Sequence, residues 1–362
     1  MNRKNNALLG LNSSRTKVRR VALTLFLAVI TGLFFGCSNK KNFTIYTWAE
    51  MFPLEILEGF EKETGYRINF VNFDYNETML TRLESARSGS YDLIIADDYI
   101  IETVIEKGLA QKLDRTLLSN YENINPIYQK QFYDPYDEYT VPYGAGVQTI
   151  VYDPSRVRQT ITGYAELWDP SLRNNIGIID NQRVINGMAL KVQGKSYNTF
   201  DLAEIRDAGE ELVNLAPNIR LIKDDSLEED LLSGEISVAV MYTSQVTMAM
   251  MEKPTLKVVY PREGIGFGIM AGFIPSGASN PDAAHAFLNY ILDPRRGAEC
   301  FEFLGYYSTY SASDPYIKAA FKEFLTIPYG FNRDMEMIQN VSPEAEEEHS
   351  RIWTAFKAAA GR

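Results

Sequence analysis

The feature that most constrains the fold is an alternation of short strand-like runs with helical patterns that begins after residue 41. The runs Asn42 to Thr47, Arg67 to Asn72 and Asp92 to Ala96 carry β-branched, aromatic or aliphatic residues. Each run is followed by apolar residues at helical spacing. This alternation is typical of an α/β fold, in which helices connect the strands of a mostly parallel sheet.

Turn and capping residues delimit these elements. Pro53 opens a helix with apolar residues at helical spacing, and Gly65 closes it. Further helices are predicted at Met79 to Ser88 and Asp98 to Lys107. The alternation resumes beyond Tyr139, which predicts a second sheet domain. Its strands are predicted at Val147 to Tyr152, Ile176 to Ile179, Ile219 to Ile222 and Val238 to Tyr242, with helices at Asp201 to Leu215 and Thr243 to Met251.

The first residues have the pattern of an export signal. Six basic residues without an acid precede the uncharged run Val21 to Phe35, which is short for a membrane span. The run ends at Gly36-Cys37, a small residue before a cysteine, as lipoprotein processing requires. We therefore predict a lipoprotein signal peptide over residues 1–36, a lipid on Cys37 and a tether over 37–41. An uncleaved or differently cut anchor is the alternative.

Charge and composition exclude several classes of function. The chain has 36 basic and 47 acidic residues, a net charge of −11, which disfavours a nucleic-acid partner and suits a cationic one. Two cysteines and two histidines provide no spacing for a zinc finger, an iron–sulfur cluster or a cysteine–histidine nucleophile pair. We expect no cofactor, no metal and no enzymatic activity.

Aromatic and acidic residues follow several predicted strands. Trp48 and Glu50 come after the first strand, Asp97 and Tyr99 after the third, and Tyr242 ends a later one. Ligands of open α/β sheets bind beyond the carboxyl ends of the strands, and an aromatic ring beside a carboxylate suits an ammonium group. Each aromatic is also compatible with core packing. Of the neighbouring acids, we expect Asp98 to cap a helix and Asp97 to face the cleft.

At this point the sequence resembles a known family, the substrate-binding proteins of spermidine/putrescine ABC importers, over nearly all of the chain after residue 41. The resemblance rests on six motifs. They are Tyr-Thr-Trp-Ala-Glu-Met-Phe-Pro (46–53), Phe-Glu-Lys-Glu-Thr-Gly (60–65), Tyr-Asn-Glu-Thr-Met (75–79), Gly-Ser-Tyr-Asp-Leu-Ile (89–94), Val-Pro-Tyr (141–143) and Leu-Gly-Tyr (304–306).

The resemblance implies a two-lobed α/β fold of the periplasmic binding protein type, with the ligand held in a cleft that closes like a Venus flytrap. It implies lobe 1 over residues 42–144 plus 270–312 and lobe 2 over 145–269 plus 313–362. The predicted crossings contain glycines at Gly144, Gly146 and Gly264 to Gly268, which permit backbone rotation.

The resemblance also implies an aromatic box, onto which Trp48, Tyr99, Tyr242 and Tyr306 map. The positions that carry carboxylates around the bound amines in the family hold Asn181, Val184 and Met270 here. Because these positions lack the carboxylates that bind the amines in the family, Asp97 and Glu50 are the remaining candidates for charge pairing with the ligand. The predicted ligand-binding residues are Trp48, Glu50, Asp97, Tyr99, Asn181, Tyr242, Met270 and Tyr306.

The expected function is that of a lipid-anchored, monomeric receptor that captures a polyamine-like cation and delivers it to ABC permease subunits. The expected location is the periplasmic face of the inner membrane or the outer surface of the cell membrane. Two alternatives remain open: the same role for a non-polyamine solute, and a surface lipoprotein that uses the scaffold for adhesion or signalling. The sequence does not rank putrescine against spermidine.

Overall fold

A computed structural model of the chain describes residues 42–223, 226–325 and 335–361. The predicted signal peptide, Cys37 and the tether lie outside the described residues. Within the described ranges, no helix is both long enough and apolar enough to cross a membrane.

The described part of the chain contains ten strands in one hydrogen-bonded sheet. They are β1 (Asn42–Thr47), β2 (Arg67–Asn72), β3 (Leu93–Asp97), β4 (Thr140–Tyr152), β5 (Ile176–Ile178), β6 (Ile219–Ile222), β7 (Val238–Tyr242), β8 (Lys257–Val259), β9 (Ile265–Phe273) and β10 (Met335–Met337). Their order is β2-β1-β3-β9-β4-β7-β5-β6, while β10 pairs with β9 and β8 with β4. Strands β1, β2 and β3 pair in parallel, whereas β9 is antiparallel to both β3 and β4.

Helices connect and cover these strands. They are α1 (Leu54–Thr64), α2 (Asn76–Ser85), α3 (Asp98–Glu106), α4 (Gln182–Val192), α5 (Leu202–Leu215), α6 (Leu227–Ser233), α7 (Thr243–Glu252), α8 (Pro281–Ile291), α9 (Pro294–Leu304), α10 (Ala319–Leu325) and α11 (Pro343–Ala359). The alternation of strands and helices confirms the predicted α/β class.

The long strand β4 joins two groups of strands. Its first part, from Thr140 to Val147, pairs with β9 and so belongs with β1, β2 and β3. Its second part, from Gln148 to Tyr152, pairs with β7, which in turn pairs with β5. A single strand therefore runs from one group of elements into the other.

Strand β4 begins seven residues earlier than the predicted Val147, at Thr140. Pro142 lacks an amide donor, and the following glycines suggest a turn. The strand tolerates Pro142 because its register with β9 shifts between Pro142 and Gly144. Helix α2 also begins earlier than predicted, at Asn76, and helix α4 was not predicted.

The buried apolar side chains form clusters that follow the strand groups. One cluster is drawn from residues 43–143 and 274–317, and a second from residues 150–256 and 345–356. A third draws on residues 46–147 and 265–337. The C-terminal helix α11 therefore packs with the chain between residues 150 and 256, which is far from it in sequence.

Candidate ligand-binding cleft

A cleft of about 980 Å³ lies where several of these strands end. The eight residues that the sequence predicts as ligand-binding all line it. Trp48 and Glu50 follow β1, Asp97 ends β3, and Tyr242 ends β7, so the cleft lies beyond carboxyl ends of strands. Those eight are Trp48, Glu50, Asp97, Tyr99, Asn181, Tyr242, Met270 and Tyr306.

Asp97 is held by an asparagine that the sequence reasoning missed. The side-chain amide of Asn76 donates to Asp97 Oδ2 at 2.8 Å and to the hydroxyl of Tyr99 at 3.1 Å. The Tyr99 hydroxyl donates to Glu77 Oε1 at 3.0 Å. Asn76 is 5% exposed, so its amide is fixed by burial as well as by hydrogen bonds. Asn76 and Glu77 lie within one of the motifs that carry the family resemblance.

The electrostatic environment of Asp97 favours a bound cation. Burial raises its pKa to about 6, the charge of Glu77 adds to that rise, and the hydrogen bond from Asn76 opposes it. No positive charge is among the groups that shift this pKa. An ammonium group placed beside Asp97 would compensate the buried carboxylate and lower its pKa.

Asp98 is not the helix cap that the sequence predicts. Asp97, not Asp98, holds the N-cap position of α3, and its side chain makes no capping hydrogen bond. Asp98 is 4% exposed, and its Oδ2 accepts from the Ile269 amide at 2.8 Å, while Oδ1 accepts from the Tyr99 amide at 2.7 Å. Burial and the charge of Asp97 raise the pKa of Asp98 to about 8, although both amides oppose the shift. Asp98 therefore ties the start of α3 to β9.

Glycines on β4 make room for Tyr306. A Cβ atom at Gly146 would lie 2.8 Å from Tyr306 Cε1, and one at Gly144 would lie 2.7 Å from Met270 Cε. Neither distance is compatible with a side chain unless its neighbour moves, so the ring of Tyr306 lies against bare backbone. Burial and the charge of Asp97 raise the pKa of Tyr306, which also forms a hydrogen bond with Ser244.

Trp48 and Glu50 extend the same side of the cleft. The Trp48 ring lies 4.8 Å from that of Phe73 in a tilted arrangement and remains partly exposed. Glu50 is exposed and has a φ of 56°, a left-handed conformation that is uncommon for residues other than glycine. The turn after β1 thus carries one aromatic and one acidic side chain to the cleft.

Asn181, before α4, and Tyr242, at the end of β7, also line the cleft. Asn181 Oδ1 accepts from the Val184 amide at 3.1 Å and caps α4, and its Nδ2 donates to the Tyr242 hydroxyl at 3.2 Å. Val184 is 1% exposed and packs in the core of residues 150–256 and 345–356. These contacts give Asn181 a structural task in addition to its place in the cleft.

The sequence reasoning also missed a charged pair at the cleft. The Arg183 guanidinium lies 3.4 Å from Glu346 Oε2, and its Nη2 donates to the carbonyl of Tyr197 at 3.1 Å. Glu346 also accepts a hydrogen bond from Gln182. The contact brings α4 and α11 together across more than 160 residues of sequence, a separation at which no local pattern signals a pairing.

Comparisons with known proteins show which family this sequence matches. Residues 55–323 match the family described as bacterial extracellular solute-binding protein. The spermidine/putrescine-binding periplasmic protein of Salmonella typhimurium (strain LT2) is 34% identical over 274 residues, which cover 74% of this chain and 78% of that protein. The putrescine-binding periplasmic protein SpuD of Pseudomonas aeruginosa is 25% identical over 366 residues, covering 94% and 99%.

A solved structure is similar over nearly its whole length. The spermidine/putrescine ABC transporter substrate-binding protein PotD of Streptococcus pneumoniae superposes with a TM-score of 0.82 at 25% sequence identity. The alignment covers 89% of this chain and 100% of that one.

Proposed function

This chain belongs to the family of bacterial extracellular solute-binding proteins, and on that premise we propose that it is the substrate-binding protein of a polyamine ABC importer. It captures a spermidine- or putrescine-type cation between two lobes and delivers it to permease subunits. The observation that carries the proposal is the cleft itself, because the predicted aromatic residues and Asp97 line one cavity.

The predicted family and the two-lobed α/β fold are confirmed by the family match and by the similarity to the pneumococcal binding protein. The relatives are binding proteins of transport systems, so the chain is a binding protein and not an enzyme. Its relatives are periplasmic proteins, and the chain acts on the same side of the membrane.

In the proposed complex, aromatic rings hold the alkyl part of the ligand and a carboxylate pairs with its ammonium group. Trp48, Tyr99 and Tyr306 line the same cleft as Asp97 and Glu50. The ring faces attract a cation, and the carboxylate adds a charge-assisted hydrogen bond. Met270, Asn181 and Tyr242 complete the proposed binding set.

We propose the lobe boundaries that the resemblance implies, 42–144 plus 270–312 and 145–269 plus 313–362. Two clusters of buried residues support this division, because one is drawn from residues 43–143 and 274–317 and another from 150–256 and 345–356. The third cluster contains residues of both proposed lobes. Strand β4 then carries the chain from the first lobe to the second, and its glycines lie at the crossing.

The proposal includes a lipid anchor on Cys37, which lies outside the described residues. The signal pattern of residues 1–36 supports it, and residues 37–41 then serve as a tether at the periplasmic face of the inner membrane or the outer surface of the cell membrane. We also propose that the protein acts as a monomer, since one chain supplies the complete cleft.

Titration calorimetry with putrescine, cadaverine, spermidine and spermine tests the proposal. A ligand at 100 times its dissociation constant should raise the free energy of unfolding by about 2.7 kcal/mol, which a thermal melt detects independently. Trp48→Ala should abolish binding, whereas Trp168→Phe, at an indole outside the cleft, should leave it intact. An absence of heat and of thermal stabilisation with all four amines would refute the proposed function.

A further inference from the structure

The cleft lining contains a group of carboxylates and a group of neutral polar side chains. Glu50, Glu77 and Asp97, which we name the acidic wall, carry the carboxylates around the ammonium position. Gln148, Asn181 and Tyr242, which we name the neutral wall, carry amide and hydroxyl groups. The carboxylate of Glu346 also faces the cleft, but Arg183 and Gln182 already engage it.

Gln148 has an unmet hydrogen-bond acceptor in this neutral wall. Its side chain lines the cleft, the residue is 6% exposed, and its Oε1 atom has no hydrogen-bond partner among the described residues. A buried carbonyl oxygen without a donor is unfavourable, and native structures satisfy nearly all such groups. A ligand that donates an N–H group to Gln148 Oε1 would remove this deficit.

The two walls are separated along the strands. Asp97 pairs with Met270, which pairs with Gly144 on β4, and Gln148 lies four residues further along β4. At a rise of about 3.3 Å per residue, this offset corresponds to roughly 13 Å along the strand. One extended ligand can therefore reach both Asp97 and Gln148.

The donor that Gln148 receives should be uncharged. An ammonium group buried against the neutral wall would have no carboxylate to compensate its charge, and a buried unpaired charge is strongly unfavourable. An amide N–H satisfies the carbonyl oxygen without this penalty.

We infer that the cleft prefers a singly charged amine whose far end is an amide, that is, a mono-N-acylated diamine or polyamine. The free ammonium lies at the acidic wall, and the acylated nitrogen donates to Gln148. The inference rests on the proposed function, because it specifies which member of the polyamine class the same site takes.

Calorimetry with putrescine and N-acetylputrescine as probes tests it. The wild-type protein should bind N-acetylputrescine at least tenfold more tightly than putrescine. Gln148→Glu is nearly isosteric and supplies a carboxylate at the neutral wall, so it should reverse this preference. Gln148→Leu should weaken N-acetylputrescine binding at least fivefold.

Gln193→Glu is the matched control, because it adds the same charge at an exposed position outside the cleft and should leave both affinities unchanged. Equal or tighter binding of putrescine by the wild type would overturn the inference and leave the proposed function in place. A preference that neither Gln148 variant alters would also overturn it. If neither probe binds, the inference is wrong. If the other amines also give no binding heat, the proposed function is wrong as well.

Discussion

Replacing Asp97 by asparagine should weaken amine binding without loss of the fold. The substitution keeps the side-chain shape and an oxygen that can accept from Asn76, but it removes the negative charge of the acidic wall at this position. Hydrogen bonds to charged groups contribute about 1.5 to 3 kcal/mol. At about 1.4 kcal/mol for each factor of ten, affinity should fall by roughly 10- to 150-fold.

The pH dependence of binding gives an independent readout. The pKa of Asp97 is raised to about 6 in the folded protein, so the free carboxyl is largely protonated at pH 5 and ionised at pH 7. An ammonium ligand binds the ionised form, so affinity should rise between pH 5 and pH 7. Asp97→Asn should remove this rise.

As pH rises, the contribution of Asp97 to the free energy of unfolding should fall, whereas ligand affinity should rise. A folded-state pKa above the unfolded value of 3.8 means that the folded protein binds more protons, and its stability then falls as pH rises from about 4 to about 6. Asp97→Asn removes this term, so the variant should unfold at pH 7 no more easily than the wild type. Urea denaturation at pH 4 and pH 7 measures the difference.

Asp74→Asn is the matched control, because Asp74 is exposed and does not line the cleft. Calorimetry of both variants with the tightest-binding amine, from pH 5 to pH 7, supplies the comparison. An unchanged affinity and an unchanged pH profile in Asp97→Asn would show that the ammonium is not bound at this carboxylate, and the assignment of the acidic wall would be wrong.

Three further outcomes follow from the same contacts. Gly146→Ala should push the Tyr306 ring out of place and lower ligand affinity at least fivefold by calorimetry, while the thermal midpoint changes little. Asn76→Ala removes the hydrogen bond that lowers the pKa of Asp97, so the midpoint of the affinity-against-pH curve should move above pH 6. Asp98→Asn places an amide where a buried carboxylate accepts two main-chain N–H groups, and urea unfolding should show a loss of about 1 to 3 kcal/mol.

The sequence predicts well those elements whose side-chain pattern is local. Strands β1, β2, β6 and β7 begin and end at the predicted residues, because alternating or continuous apolar runs define each of them locally. The first half of β4 was missed because Pro142 and the glycines indicate a break in isolation. Pairing with β9, which is distant in sequence, overrides that local signal.

The residues of the cleft likewise divide into those with a local signal in the sequence and those without one. Trp48, Tyr99 and Tyr306 could be predicted because they stand at ends of recognisable elements and within motifs of the family. The roles of Asn76 and Gln148 could not, since an asparagine or glutamine carries no local mark of what its amide will contact. Those contacts depend on which strands and helices the folded chain brings together.

Asp97 and Asp98 are neighbours at the start of α3, but their carboxyl groups have different environments. Both oxygens of Asp98 accept main-chain amides, and burial and the charge of Asp97 raise its pKa to about 8, so Asp98 is largely protonated at pH 7. Asp97 accepts a side-chain hydrogen bond from Asn76, and its pKa is raised only to about 6, so Asp97 is largely ionised at pH 7. Asp97 is therefore the carboxylate that can pair with a ligand ammonium. The cation specificity of the cleft therefore depends on the difference between two adjacent carboxylates and not on their number.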